Sequence, residues 1–277
     1  MTHGKIEDPY KALENPRFLD VSKPIVLRLD GKNFSKLSKQ MGRGSNSELF
    51  SKAMLYAAKE LCKEIQGARL AYVASDEMSV VIYRQTENSQ VWFNGRINKI
   101  ESVAASIVSV AFNRYLSSRG RADLVGKESI LDAIWAFDAR AFNVHVGLLP
   151  DYLTTRMTKT YANAWHMFAR DRYSHNECKD KTTKELINML IDLNRAPNIE
   201  ESENLKRSFH GTMILPAYAL KTVAYLGEDI QIYRRSWVDF VLNHVDYTQS
   251  EAKELVSDYV INTPAAPELP SNDMVDA

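Results

Sequence analysis

The chain has little cysteine. Cys62 and Cys178 are the two it carries, too few for a disulfide framework and without zinc-ligand spacing. Disulfide-stapled secreted scaffolds and zinc modules are thereby excluded, and a reducing compartment fits. No apolar run approaches the roughly 18 residues of a membrane span. The opening Met1-Thr2-His3-Gly4-Lys5 has no apolar signal region. A cytoplasmic protein with no membrane partner is expected. Charge of one sign is also missing: 35 Lys and Arg balance 35 Asp and Glu. That excludes a protein coated in non-specific nucleic-acid affinity. Neither a P-loop nor a Rossmann fingerprint occurs. His145, His166 and His210 are isolated, so no Ser-His-Asp grouping presents itself. Internal repeats and low-complexity tracts are absent.

What is present is an ordinary globular composition, 45% hydrophobic and 25% charged over 277 residues. A chain of this size buries roughly three quarters of its unfolded surface and needs no staples. Charge is uneven locally. Lys23, Arg28, Lys32, Lys36, Lys39 and Arg43 surround one acid, Asp30. The C-terminal end leans acidic through Glu251, Glu254, Asp258, Glu268, Asp273 and Asp276. A basic patch on a neutral protein fits a defined anionic site; a solvated charged face is the alternative.

Periodicity orders the elements. Residues 1–22 read as a lead-in with a short helix around Tyr10–Leu13. Residues 24–30 alternate as a strand. Residues 31–46 read as a long polar loop. Ser45-Asn46-Ser47-Glu48 is a capping-box pattern that opens a helix with Phe50, Met54, Ala57, Ala58, Leu61, Cys62 and Ile65 as its apolar stripe, stopped by Gly67. Strands at 70–74 and 78–83 flank the break Ser75-Asp76-Glu77. A helix over 95–118 and a strand within 133–146 follow. The order β-α-β-β-α-β predicts an α+β fold of the split βαβ arrangement: a four-stranded antiparallel sheet with two helices on one face. Right-handed crossover puts the first and third strands in the middle. Residues 1–148 would form this core. Residues 149–262 would be a mainly helical region with a hairpin over 212–236, turning near Gly227-Glu228, and a last helix opened by Thr248. Residues 263–277, with Pro264, Pro267 and Pro270, read as a disordered tail.

This topology brings Asp30, at the carboxyl end of the first strand, to Asp76 at the hairpin turn. Two ionised carboxylates about 4 Å apart repel by roughly 4 kcal/mol at an effective dielectric of 20. Either one is protonated or a cation lies between them. A divalent metal bridging two acids beside a glycine turn suits a nucleoside triphosphate, and Gly31 can add its carbonyl. Solvent-facing turn acids are the alternative. Arg96, Lys99 and Ser102 share one helix face and suit phosphate oxygens, on a helix expected to start beside the hairpin of Asp76.

In order and spacing, Leu-Arg-Leu-Asp-Gly-Lys-Asn-Phe (27–34), Ser-Asp-Glu (75–77), Arg-x-x-Lys-x-x-Ser (96–102) and Phe-Asp-Ala-Arg (137–140) resemble the tRNA(His) guanylyltransferase family and its tRNA-repair relatives. Asp151-Tyr152-Leu153 with Arg156, Lys181-Thr182-Thr183 and Phe209-x-Gly211-Thr212 continue the resemblance. It implies a palm-like catalytic core over residues 1–148 and a tRNA 5′-end nucleotidyltransferase working in the 3′–5′ direction. Asp30, Gly31 and Asp76 would hold two Mg²⁺ ions, supported by Glu77. Gly31, Lys32, Asn33, Phe34, Ser35 and Ser75 would contact the nucleotide. Arg96, Lys99 and Ser102 would hold a triphosphate. ATP would adenylylate the 5′-phosphate of tRNA and the GTP 3′-hydroxyl would then attack. A homotetramer is also implied. Arg156, Lys159 and Asn163 would meet tRNA. Where eukaryotic members carry His-Ile-Asn-Asn, this chain reads Tyr161-Ala162-Asn163-Ala164. Only Asn163 matches, which favours template-dependent 5′-end repair over strict tRNA(His) choice. Two rivals follow from the same residues: a nucleotide cyclase on the same palm, and a catalytically silent RNA-binding module.

Overall fold

The computed structural model describes residues 16–41, 47–84, 86–225, 228–241 and 249–262. The short helix expected at Tyr10–Leu13, the capping residues Ser45 and Thr248, the hairpin turn at Gly227 and the tail from residue 263 lie outside the described residues. No helix among the described residues is long and apolar enough to cross a membrane.

The palm elements are β1 (Ile25–Gly31), α1 (Phe34–Met41), α2 (Glu48–Glu64), β2 (Ala68–Ala74), β3 (Glu77–Ile82), α3 (Ile97–Ser118), the single turn α4 (Glu128–Asp132) and β4 (Phe137–Asn143). One expectation is corrected here. The segment 31–46 is not a plain loop, because α1 occupies half of it. Phe34, Leu37 and Met41 are all buried, at the spacing of one helical face; the polar punctuation around them conceals that stripe. The next helix begins at Glu48, and Ser47 before it makes no side-chain cap bond.

Further along come α5 (Leu149–Arg170), α6 (His175–Cys178), α7 (Thr183–Asp192), α8 (Glu203–His210), β5 (Thr212–Tyr225), β6 (Glu228–Val241) and α9 (Gln249–Val256). Thr182 and Glu185 form a reciprocal capping box at the start of α7. The sheet has six strands in the order β4-β1-β3-β2-β5-β6; among the four expected strands β1 and β3 are the inner pair, as expected, and β5 and β6 extend the sheet beyond β2. The long hairpin is not a separate feature: β5 pairs with β2 through Thr212↔Val73 and Ile214↔Ala71 and extends the sheet. Gly211 makes that entry possible. Its φ is +76°, and a Cβ there would meet the Tyr72 hydroxyl at 2.4 Å. Tyr72 in turn donates to the His210 carbonyl at 2.9 Å.

Alternation divides the sheet between two cores. Ile25, Leu27 and Leu29 face α2 and α3 with Phe34, Phe50, Phe112 and Trp135. Val26 shares the other face with Leu70, Tyr72, Val81 and the α5 residues Leu149, Leu153 and Met157. Arg28 and Asp30 continue this second row by register, so Asp30 is on the α5 side.

Cys62 lies in the first core at 2% exposure. Burial pushes its thiol up to about 12, so thiolate is negligible near neutrality. Folded protein is expected to resist iodoacetamide at Cys62 at pH 8 and to be alkylated there once unfolded; peptide mass mapping checks this.

Candidate functional site

The site begins with the end of β1. Asp30 is opposite Glu77 on β3 and opposite Asp138 on β4. Ser75 and Asp76 form the two-residue turn between β2 and β3, with Ser75 at φ +53°. The Gly31 N–H donates to the Asp76 carbonyl at 3.1 Å, which ties the turn to the strand end. The expected meeting of Asp30 and Asp76 is therefore present. Both line one cleft of about 480 Å³ with Ser75, Glu77 and residues of α5.

Gly31 is constrained from behind. A Cβ there would sit 2.5 Å from the Phe34 ring, so the chain turns over Phe34 only because the residue is glycine. The Phe34 side chain is 1% exposed and packs on Phe137, Phe112, Trp135 and Phe50 at centroid distances of 4.8–5.9 Å. Its ring belongs to the core, which leaves its backbone for any ligand. Lys32, Asn33 and Ser35 are exposed. Asn33 takes φ +61° and leads into α1, whose first N–H groups lack intrahelical partners.

Electrostatics separates the acids. Burial pushes the Asp76 carboxyl up, and the Asp30 charge pushes it further; the Ser75 hydroxyl, donating at 3.1 Å, pulls back. Glu77 is also pushed up by burial, against the opposing pull of Arg156 and Arg28. Arg156 of α5 is ion-paired and hydrogen-bonded to Glu77. Hence Glu77 is engaged by a cation of the chain itself, whereas Asp30 and Asp76 face each other across the turn. Truncating Arg156 would strand Glu77, whose side chain is only 21% exposed. Arg156→Ala is expected to cost about 2 kcal/mol of stability, and the double variant with Glu77→Gln should recover most of it in a denaturant-unfolding cycle.

The opposite wall of the cleft is one face of α5. Arg156, Lys159, Asn163, His166 and Arg170 all line it, at alternating spacings of three and four. Arg170 belongs, with Arg156, Lys159 and Arg172, to the basic residues of this helix that the sequence offers to a tRNA backbone; His166 reads from the sequence only as an isolated histidine, and the heptad-like spacing that continues from Arg156 is the signal that places it here. The buried stripe of α5, with Leu153, Met157, Ala164, Trp165 and Phe168, turns the polar stripe outward.

Arg96, Lys99 and Ser102 are not part of this cleft, and their helix does not start beside the Asp76 turn. Ser109 of α3 accepts from the Phe137 N–H at 3.0 Å, near Gly31, while Glu101 accepts from the Ala141 N–H at 2.9 Å. Thus α3 runs antiparallel to β4, and roughly 20 Å of helical rise separates Arg96 from the level of Asp30. β3 itself carries the chain away from the Asp76 turn, from Glu77 opposite Asp30 to Ile82 opposite Ile25, so α3 begins at the far end of the sheet.

Among the described residues no group of three or more His, Cys, Asp or Glu side chains gathers as a metal cage. Asp30, Asp76 and the Gly31 carbonyl instead offer hard oxygen donors from a short stretch of backbone. That set fits Mg²⁺, which takes one or two carboxylates and completes its shell with water and substrate phosphate. The upward push on Asp76 by its acidic neighbour is what a cation there would relieve.

A family model described as Thg1: tRNAHis guanylyltransferase matches residues 7–145. The chain belongs to that family. A curated member, the tRNA(His) guanylyltransferase of Debaryomyces hansenii, is 28% identical over 155 residues, 55% of this chain and 56% of its own length. An uncharacterized protein of Acanthamoeba polyphaga mimivirus, R259, is 24% identical over 182 residues, 60% of this chain and 62% of its own. The chain thus aligns with less than two thirds of either relative. Among solved structures, a bacterial tRNA(His) guanylyltransferase (Thg1)-like protein in complex with ATP superposes with a TM-score of 0.71 at 22% identity, covering 89% of this chain and 96% of that one. The corresponding GTP complex gives 0.65 at 22% over the same shares. The Saccharomyces cerevisiae tRNA(His) guanylyltransferase gives 0.60 at 19%, over 81% and 95%. The Thg1 fold therefore extends past the matched residues into the helices and hairpin that follow β4.

Proposed function

We propose that this protein is a Mg²⁺-dependent nucleotidyltransferase acting on the 5′ end of tRNA. One observation carries the reading: a strand-end acid and a turn acid, joined by the Gly31–Asp76 backbone bond, face a basic and amide-bearing helix across one cleft. Membership of the Thg1 family and the fold shared with ATP- and GTP-bound relatives support it.

Asp30, Asp76 and the Gly31 carbonyl would hold Mg²⁺, which when bound supplies charge neutralisation at phosphate and an activated oxygen. Lys32, Asn33, Ser35 and Ser75 would position the nucleotide, with the backbone at Gly31 and Phe34. Lys159, Asn163, His166 and Arg170 would steer the tRNA 5′ end, and Arg156 would hold Glu77 in place as support for the acids. The proposed sequence has two transfers. The tRNA 5′-monophosphate first attacks the ATP α-phosphorus and expels pyrophosphate. The GTP 3′-hydroxyl then attacks the 5′-adenylylated phosphorus and expels AMP. With Asn163 alone matching the tRNA(His) segment, template-dependent repair of truncated 5′ ends is the favoured use. Arg96, Lys99 and Ser102, remote on their own chain, would hold a triphosphate only if a homo-oligomer brings them to the acids of a second copy.

The test is incubation of 5′-labelled tRNA(His), intact and lacking its 5′ nucleotide, with each nucleoside triphosphate, in Mg²⁺ and in EDTA. A Mg²⁺-dependent longer product is expected, strongest on the truncated tRNA. A cyclic or linear dinucleotide made from GTP or ATP alone would overturn the reading, as would tRNA binding without Mg²⁺-dependent ATP turnover.

A further inference from the structure

The acid cleft does not end at the Asp76 turn. Ala74, Ser75 and Ser208 line it and also line a small hollow on its β2 side. That hollow passes Ser51, Leu55 and Arg207. The same three residues line a groove of about 610 Å³ between α2, the end of α3 and α8. The groove thus opens toward the acids by way of Ser75, Ser208 and Ser51.

Its far part carries two aromatic rings. Tyr56 and Tyr115 have centroids 5.3 Å apart, and both are half-buried against the first core. The Arg119 guanidinium stands over both rings, 5.4 and 5.9 Å from their centroids. Arg119 is exposed and has no acidic partner among the described residues. The other cations of the groove are matched within the chain. Lys52 pairs with Glu48 at 2.6 Å, Lys59 with Asp239, and Arg207 with Glu203 and Asp239. Core packing explains the inner edges of the tyrosines. It does not explain a guanidinium laid over both with no carboxylate to take it. Rings and a planar cation at the open end of a groove offer stacking faces to bases of any identity.

We infer that this groove takes the unpaired 3′ strand running past the reacting 5′ end of the substrate RNA, with its bases against Tyr56, Tyr115 and Arg119. The inference rests on the tRNA reading proposed above. A 5′ end at Asp30 and Asp76 has its complementary strand opposite, and in a truncated tRNA that strand continues unpaired beyond the acids. It needs a surface contiguous with the cleft, and the passage by Ser75 and Ser208 is one. The proposed nucleotide contacts Lys32, Asn33 and Ser35 follow β1, whereas the groove leaves from β2, two strand positions and roughly 10 Å away; Ser75 is where the two meet. From Ser51 to Lys59, α2 rises about 12 Å along the groove. That length suits a strand rather than the single base of a GTP.

The test uses the full-length protein with Tyr115→Leu and Arg119→Glu. The first keeps an apolar side chain on the core and removes the stacking face; the second alters an exposed side chain. The probe is a labelled acceptor-stem RNA hairpin, either blunt or with an unpaired 3′ extension, bound over a salt series beside GTP binding and thermal unfolding. The unaltered protein is expected to prefer the extended hairpin by at least about tenfold, and each variant to lose about tenfold on it, as for one unstacked base. Affinity for the blunt hairpin and for GTP should stay. Tyr115→Leu should also keep the slope of log K against log salt, since it removes no phosphate contact. If Tyr115→Leu lowers the unfolding midpoint, Arg119→Glu decides alone. Equal affinity of the unaltered protein for the two hairpins, or a preference that Arg119→Glu retains, would overturn the inference and leave the catalytic reading intact. Loss of GTP affinity in Arg119→Glu would overturn it too, making the groove a base site for the nucleotide. Failure of the unaltered protein to bind either hairpin would instead sink the tRNA reading itself.

Discussion

Asp76→Asn is expected to reduce nucleotide addition to tRNA by at least about 10³-fold, while raising the thermal midpoint of the metal-free protein. The two effects have one source. Removing a single preorganised electrostatic group at a reacting centre costs about 10²–10³-fold, and Asp76 would also orient the remaining donors. In the metal-free protein the same carboxylate is a burden. Burial and the Asp30 charge both push its carboxyl up. A carboxyl raised in the folded state binds more protons there than in the unfolded chain. Stability from this group therefore falls as pH rises from the unfolded value through the raised one. A neutral amide of nearly the same shape removes that penalty at pH 7. The isosteric variant should thus be inactive and more stable, the pattern of a site held under strain for function. Scanning calorimetry at about pH 3.5, below the ordinary carboxylate value, and at pH 8 checks the sign: the gain over the unaltered protein should be larger at pH 8. An unchanged or lower midpoint at pH 8, or transfer that survives, would remove Asp76 from the proposed role.

Phe34→Ala is expected to give the largest loss of stability, about 3–5 kcal/mol. The ring is 1% exposed and has four aromatic neighbours, Phe50, Phe112, Trp135 and Phe137. It also backs Gly31, so its removal frees the turn that sets Asp30 against Asp76. Denaturant unfolding measures the first effect. GTP affinity under conditions where the variant remains folded measures the second, and it should drop more than for a cavity of similar size elsewhere, such as Leu61→Ala in α2. The converse change, Gly31→Ala, places a methyl 2.5 Å from the same ring and should harm both properties.

Much was legible before any coordinates. β1 and β3 alternate or run apolar because their faces are buried, and a right-handed crossover leaves one way to order four strands. Hence the palm order and the meeting of Asp30 with Asp76 follow from local pattern and a topological rule. Helix α1 was concealed because its three buried residues are scattered among lysines and serines. The union of the hairpin with β2 was equally hidden: it depends on Gly211 passing close to Tyr72, a contact between residues far apart in the chain.

The fate of the basic residues divides the same way. The family resemblance and the basic character of the helix pointed to Arg156, Lys159 and Asn163, and their spacing of three and four puts them on one helix face, since helical geometry is local. Only the packed structure shows that Arg156 is engaged by Glu77 and that His166 and Arg170 complete the cleft wall. Arg96, Lys99 and Ser102 were equally well aligned, yet packing sends them to the far end of the sheet, because the direction of α3 is set by its contacts with β4. The sequence by itself determined the palm, its acidic pair and the chemistry those donors suit. The tertiary structure decided which cations face that pair, which are spent elsewhere, and that the acid cleft continues into a groove between α2 and α8. Local periodicity records which side of an element is apolar; it does not record which distant element that side will meet.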